Sequence, residues 1–105
     1  MISPMDPAIF QAKATEAAGL LSALSNEHRL MILCRLGSAE ASVGELQADS
    51  GLSQSAFSQH LAILRDRDLV ATRRERQTIY YRLSDPAVMQ IIQTLMTIYC
   101  PEILK

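Results

Sequence analysis

The sequence lacks several features that identify common classes of protein. It has no tryptophan and only 5% aromatic residues, so broad stacking platforms for single strands or sugars are not expected. Two cysteines are too few for a secreted disulfide scaffold. No apolar run reaches the roughly 18 residues of a membrane span, because Asn-Glu-His-Arg at 26–29 interrupts the longest candidate. Residues 1–6 do not resemble a signal peptide, so a cytoplasmic protein without a membrane partner is predicted.

The net charge of −1 also argues against nucleic-acid binding, but the charge is unevenly distributed. Between Ser53 and Leu83, six arginines and three carboxylates give a charge of +3, while four basic and eight acidic residues elsewhere give −4. Arginine suits forked contacts with phosphate. A solvated hairpin tip is the simpler interpretation of such a charge run. The 105 residues are predicted to form one domain.

Capping residues and helical periodicity predict four successive helices. Their predicted starts are Asp6 before Pro7, Ser25 or Asn26, Ser42 with Glu45 three residues later, and Ser53. The predicted ends include Gly37 for the second helix and Gly51 for the third. The third and fourth helices, with the tight turn between them, predict a helix-turn-helix over about 42–66.

The fourth helix has two contrasting faces. Phe57, Leu61 and Leu64 are predicted to face inward. The opposite face is small and polar, and consists of Gln54, Ser55, Ser58, Gln59, Ala62 and Arg65. Such a helix can enter the major groove, where glutamine and serine bond to base edges.

From Leu69 to Leu83 the hydrophobic period changes to two, which predicts a β-hairpin with its tip at 74–77. A basic hairpin that follows such a helix is a wing, placed to reach phosphates or the minor groove.

A last helix starts at Pro86, and its wide apolar stripe predicts a homodimer. The predicted fold class is therefore mainly α with a β-hairpin wing. The predicted DNA contacts are Gln54, Ser55, Ser58, Gln59, His60, Arg65, Arg73, Arg74 and Arg76. For His60, packing is an open alternative.

Three blocks of sequence carry a resemblance that covers essentially the whole chain. They are Leu-Ser-Asn-Glu-His-Arg-Leu at 24–30, Gly-Leu-Ser-Gln-Ser-Ala-Phe-Ser-Gln-His-Leu at 51–61, and Ile-Tyr-Tyr-Arg-Leu at 79–83. Together they resemble the ArsR/SmtB family of winged helix-turn-helix repressors. The resemblance implies a homodimer built on helices at about 7–24 and 86–100, a wing at about 69–83, a symmetric double-stranded operator, and an inducer that releases DNA.

The prediction of the inducer starts from the metal ligands that metal-sensing members of the family use. Metal-sensing members have cysteines at the third helix or Asp, His and Glu ligands on the last helix. Here the third helix reads Ser-Val-Gly-Glu-Leu-Gln at 42–47 and no histidine follows His60, so neither a metal nor a cofactor is predicted.

Cys34 and Cys100 resemble the persulfide- and sulfide-responsive subgroup (BigR, SqrR and HlyU-like). That resemblance implies redox sensing of reactive sulfur species through a disulfide or polysulfide bridge. Alternatively, Cys34 is a small buried hydrophobe and Cys100 a tail residue, or both bind an inducing metal.

Other classes of function are less well supported. A thiol oxidoreductase or peroxidase is disfavoured because there is no Cys-x-x-Cys pair, so the chain is not expected to be an enzyme. An interaction module without DNA binding is disfavoured by the polar face of the fourth helix. An anti-repressor with the same fold stays an alternative.

Overall fold

The computed structural model describes residues 6–104, with side chains described through residue 102. It contains α1 Pro7–Leu24, α2 Glu27–Ser38, β1 Ala41–Ser42, α3 Val43–Ser50, α4 Gln54–Asp66, β2 Val70–Glu75, β3 Thr78–Leu83, α5 Pro86–Tyr99 and a 3₁₀ turn Pro101–Leu104. Residues 1–5, which bear on the signal-peptide prediction, and Lys105 lie outside this range. The predicted fold class, mainly helical with a β-hairpin wing, is confirmed.

The capping predictions are confirmed at atomic detail. The Asp6 carboxylate accepts a hydrogen bond from the Ala8 amide at 2.9 Å. Asn26, rather than Ser25, caps α2 by accepting from the amides that follow it. At α3 the Ser42 side chain accepts from the Glu45 amide, and the Glu45 carboxylate accepts from the Ser42 amide. Each cap satisfies backbone donors that the helix itself leaves unpaired.

The helix ends agree only in part with the sequence prediction. Gly51 ends α3 with a left-handed φ of 70°, as predicted. Gly37 does not end α2, which continues to Ser38. A side chain at Gly37 would meet Met89 of α5 at 3.8 Å, so this glycine lies where α2 and α5 pack together instead of terminating the helix.

The sheet contains one strand more than predicted. Its order is β1-β3-β2, and all neighbours are antiparallel. The two-residue β1 is too short to show an alternating pattern, so the sequence did not reveal it. The wing tip is also shorter than predicted, because Arg74 and Glu75 belong to β2 and pair with Ile79 and Thr78 of β3. Only Arg76 and Gln77 form the loop, and Arg76 has a φ of 59°.

The core lies where α2, α4 and α5 meet the sheet. Its largest fully buried side chains are Phe57, Leu33, Leu64, Ile92 and Val88. By contrast, α1 contributes only Ala23 and Leu24 to the buried set. None of the helices within 6–104 has both the length and the apolar character needed to cross a bilayer.

Candidate DNA interface and thiol pair

The polar face of α4 is accessible along its length. Gln54, Ser55, Ser58, Gln59 and Arg65 are all exposed. On the other side of the helix, the three predicted inward residues are buried. The core therefore holds α4 firmly while its polar side chains stay free for contacts in a DNA groove.

His60 occupies a different environment from the rest of this predicted set. It is half-buried, and its Nδ1 lies 3.3 Å from a terminal nitrogen of Arg29. Its ring centroid is 5.7 Å from that of His28. Burial, Arg29 and His28 all lower the pKa of His60, which favours the neutral imidazole. This geometry favours the packing alternative for His60.

Arg29 joins three helices and was not recognised from the sequence. Its Nε donates to the Ala23 carbonyl at 2.7 Å, and another nitrogen donates to the Ser22 carbonyl at 3.3 Å. These carbonyls lie in the last turn of α1, where a cation is favoured. Arg29 thus ties the end of α1 to α2 and, through His60, to α4.

The wing arginines are not equivalent. Arg74 and Arg76 are exposed on the distal half of the hairpin. Arg73 instead forms ion pairs with Glu40 at 2.7 Å and Glu75 at 2.9 Å. Hydrogen bonds from Arg73 lower the pKa of Glu40, so this pair remains charged at neutral pH.

Arg67, another arginine of the basic segment, lies against α1. A Cβ built at Gly19 would collide with the Arg67 guanidinium. The arginine therefore crosses α1 where that helix has no side chain. Arg67 was not among the predicted DNA contacts.

The two predicted sensing residues lie on elements that pack together. Cys34 is half-buried in α2 against the core, and Cys100 caps the end of α5, where its amide donates to the Met96 carbonyl at 2.8 Å. Both are free thiols. Burial and the negative charge of Cys100 raise the pKa of Cys34. Cys34 on α2 and Cys100 at the end of α5 thus lie on two helices that are in contact.

The part of the chain that the structure describes contains no group of three or more His, Cys, Asp or Glu residues able to hold a metal ion. The Cys34 and Cys100 pair is thus not supplemented by a third donor within 6–104. Structural zinc sites usually have four such ligands.

Comparison with known proteins places this geometry in a family. The profile of "Bacterial regulatory protein, arsR family" matches residues 26–72. The HTH-type transcriptional regulator YgaV of Escherichia coli is 51% identical over 92 residues, which cover 87% of this chain and 93% of YgaV. The chain belongs to the arsR family. It is thus a DNA-binding transcriptional regulator and not an enzyme, as predicted.

Solved structures of arsR-family proteins share both fold and sequence with this chain. The reduced form of HlyU from Vibrio cholerae has a TM-score of 0.83 and 49% identity, covering 87% of this chain and 96% of HlyU. The transcriptional repressor BigR from Xylella fastidiosa has a TM-score of 0.81 and 41% identity, covering 91% of this chain and 98% of BigR. The predicted resemblance to the BigR and HlyU group is confirmed.

Proposed function

We propose that this arsR-family chain is a homodimeric repressor whose operator binding is lost when Cys34 and Cys100 are joined by a disulfide or polysulfide bridge. The observation that carries the proposal is the placement of two free thiols on α2 and at the end of α5, two helices that pack against each other. In a reducing cytosol such a pair of free thiols is more often a sensor than a structural clamp.

The DNA contacts of the proposal come from α4 and the wing. The exposed Gln54, Ser55, Ser58 and Gln59 would read base edges in the major groove. Arg65, Arg74 and Arg76 would contact phosphates. In a symmetric dimer the two α4 helices bind half-sites about one helical turn, roughly 34 Å, apart.

The proposed switching reaction uses a low-molecular-weight persulfide as oxidant. A cysteine thiolate attacks its outer sulfur, which yields a protein persulfide and releases the parent thiol. The second cysteine thiolate then attacks the protein-bound sulfur of that persulfide and expels hydrosulfide. Two thiols and one persulfide thus give one disulfide, one small thiol and hydrogen sulfide. If both cysteines are first persulfidated, the same displacement gives a trisulfide and hydrogen sulfide.

A bridge between α2 and α5 is well placed to alter DNA binding. Helix α2 packs directly on α3 and α4, and it also packs on α5. Helix α5 belongs to the proposed dimer interface. Tying α2 to α5 would therefore change how each α4 is held relative to the dimer axis, and a symmetric operator tolerates little change in half-site spacing.

The proposal is tested with a duplex selected from a random-sequence pool by the reduced protein. Wild type, Cys34→Ser and Cys100→Ser are treated with glutathione persulfide, and duplex binding is measured beside the intact mass. We expect wild type to form the bridge and lose binding, while both variants keep binding. Equal release from all three proteins, or a fully bridged wild type that still binds, would refute the thiol switch.

A metal inducer is the second candidate, because two thiols can bind soft metals. Zinc is titrated into the reduced protein, and both zinc binding and binding of the selected duplex are measured. Tight zinc binding that releases the duplex, and that is lost in both serine variants, would replace the sulfur switch by a metal switch. A transcription assay on the selected duplex placed at a promoter distinguishes repression from the alternative of anti-repression.

A further inference from the structure

Arg73 contacts three side chains that we call the wing clamp: Glu40, Glu75 and Tyr80. Its Nε lies 3.0 and 2.8 Å from the two Glu40 carboxylate oxygens, and one terminal nitrogen donates to Glu40 Oε1 at 2.7 Å. The other terminal nitrogen donates to Glu75 Oε2 at 2.9 Å. The guanidinium carbon lies 4.3 Å from the centre of the Tyr80 ring.

The wing clamp crosses the whole sheet. Arg73 on β2 pairs with Tyr80 on β3, and Tyr80 pairs in turn with Ser42 on β1. Glu40 directly precedes β1. The guanidinium therefore passes over the central strand to reach the far edge, and it fixes the base of the wing to the segment that leads into α3.

The same contacts use three of the five N–H donors with which Arg73 could bind a phosphate. A guanidinium grips a carboxylate or a phosphate through a fork of parallel N–H donors. In Arg73 that fork is filled by Glu40, whose side chain is only 29% exposed, while the remaining terminal nitrogen is taken by Glu75. A DNA phosphate that approaches this fork would have to displace a carboxylate that is already held in bidentate geometry, and only one N–H on each terminal nitrogen stays free.

We propose that Glu40 withholds Arg73 from the DNA backbone, so that Arg73 positions the wing while Arg74 and Arg76 make its phosphate contacts. Glu40 then sets how many phosphates each wing neutralises. The inference rests on the DNA contacts proposed for the wing, but it is independent of the thiol bridge. It replaces the sequence prediction of Arg73 as a direct DNA contact.

The test measures the affinity of the reduced protein for a dye-labelled DNA duplex of mixed sequence over a range of salt concentrations. Each phosphate contact adds about 0.9 to the magnitude of the slope of log affinity against log salt. We expect Arg73→Ala to weaken binding by a similar factor at every salt concentration, because the wing loses its attachment to Glu40, and so to leave the slope unchanged. Arg76→Ala should lower the slope by about 0.9 per wing bound. Glu40→Gln frees the guanidinium and should steepen the slope by about 0.9 per wing, and the double variant with Arg73→Ala should lose that gain.

Glu75→Gln is the matched control, because it removes one carboxylate from the wing clamp but leaves the bidentate pair with Glu40. We expect it to keep the wild-type slope. Circular dichroism and thermal melting establish that each variant is folded. A lower slope for Arg73→Ala alone, or an unchanged slope for Glu40→Gln, would overturn the inference. Unchanged slopes for both Arg74→Ala and Arg76→Ala would instead refute phosphate binding by the wing, so the two failures are distinguishable.

Discussion

Cys34 is held in conditions that oppose its ionisation. Burial and the negative charge of Cys100 both raise its pKa above the ordinary thiol value of 9.0, and burial is the larger cause. Because the thiolate is the reacting form, we expect the pH midpoint of Cys34 alkylation to be higher than the midpoint of an ordinary thiol. In Cys100→Ser the midpoint should fall, but it should stay above 9.0 because burial is retained. Iodoacetamide labelling across pH, followed by peptide mass spectrometry, measures both midpoints.

A short unstructured peptide with one cysteine serves as the reference for the intrinsic pH dependence of the reagent. If Cys34 reacts with a midpoint below that of the peptide, its surroundings activate the thiol and the interpretation given above is wrong. If Cys100→Ser leaves the midpoint unchanged, the two thiols are not electrostatically coupled, and the proposed bridge rests only on the packing of α2 against α5.

The residues that sequence reasoning missed share a physical cause. Glu40 meets Arg73 from 33 positions away, and Arg29 meets His60 from 31 positions away. Charge patterns report pairs that are three or four residues apart on one helix, so such long-range partners leave no local pattern. Arg73 was predicted to contact DNA because of its charge and its place in the wing. Neither of these features reveals that its guanidinium pairs with the Glu40 carboxylate.

At the scale of elements, the turn between α3 and α4 sets the geometry of the helix-turn-helix. Gly51 has a φ of 70°, and a side chain added there would meet no atom within 4 Å. Gly51→Ala should therefore lower the free energy of unfolding by about 1–2 kcal/mol, because alanine disfavours the left-handed backbone conformation. Urea unfolding followed by circular dichroism measures it.

Gly44→Ala is the matched control for that substitution. Gly44 lies within α3 without a left-handed φ, and a Cβ there would only touch the Ser42 hydroxyl at 4.0 Å. Alanine is preferred to glycine in helices, so we expect Gly44→Ala to be neutral or stabilising by up to about 1 kcal/mol. Equal destabilisation by both substitutions would show that packing, and not the left-handed turn, explains the loss at Gly51.

Element boundaries were predictable where a single residue satisfies the backbone. Asp6, Asn26, Ser42 and Ser53 all cap the helices predicted for them, because a capping hydrogen bond spans only two or three residues. The end of α2 and the strand β1 were not predictable in this way. Gly37 lies inside α2 beside Met89 of α5, and β1 exists only through its pairing with β3, so local sequence reveals neither the continuation of α2 nor the strand.

At the scale of the whole molecule, a single chain leaves much apolar surface uncovered. Its radius of gyration is 15.6 Å, against about 13 Å for a compact chain of 100 residues. Helices α1 and α5 carry large exposed apolar side chains, namely Ile9, Phe10, Leu21, Ile98 and Tyr99. Apolar surface of this kind on two helices favours burial against a second copy through a symmetric interface.

The proposed dimer can be tested with a pair of substitutions at equally exposed positions. Leu21 on α1 is 57% exposed and Met31 on α2 is 59% exposed, so glutamate at either site should be tolerated by the isolated chain. We expect Leu21→Glu to give monomers in sedimentation equilibrium, because it places a charge in the interface, while Met31→Glu stays dimeric. A dimeric Leu21→Glu, or a monomeric Met31→Glu, would place the interface elsewhere.

The same pair of variants connects assembly with DNA binding. In a dimer, once one wing and α4 are bound, the second set binds at a high effective concentration, which can raise affinity by about 10²–10⁴-fold. Monomeric Leu21→Glu should therefore lose affinity for the selected duplex by a factor in that range and show roughly half the salt slope, because it neutralises half as many phosphates. Met31→Glu should retain both values. A monomer that keeps the full affinity and slope would mean that one chain makes all of the DNA contacts, and the symmetric operator would then be wrong.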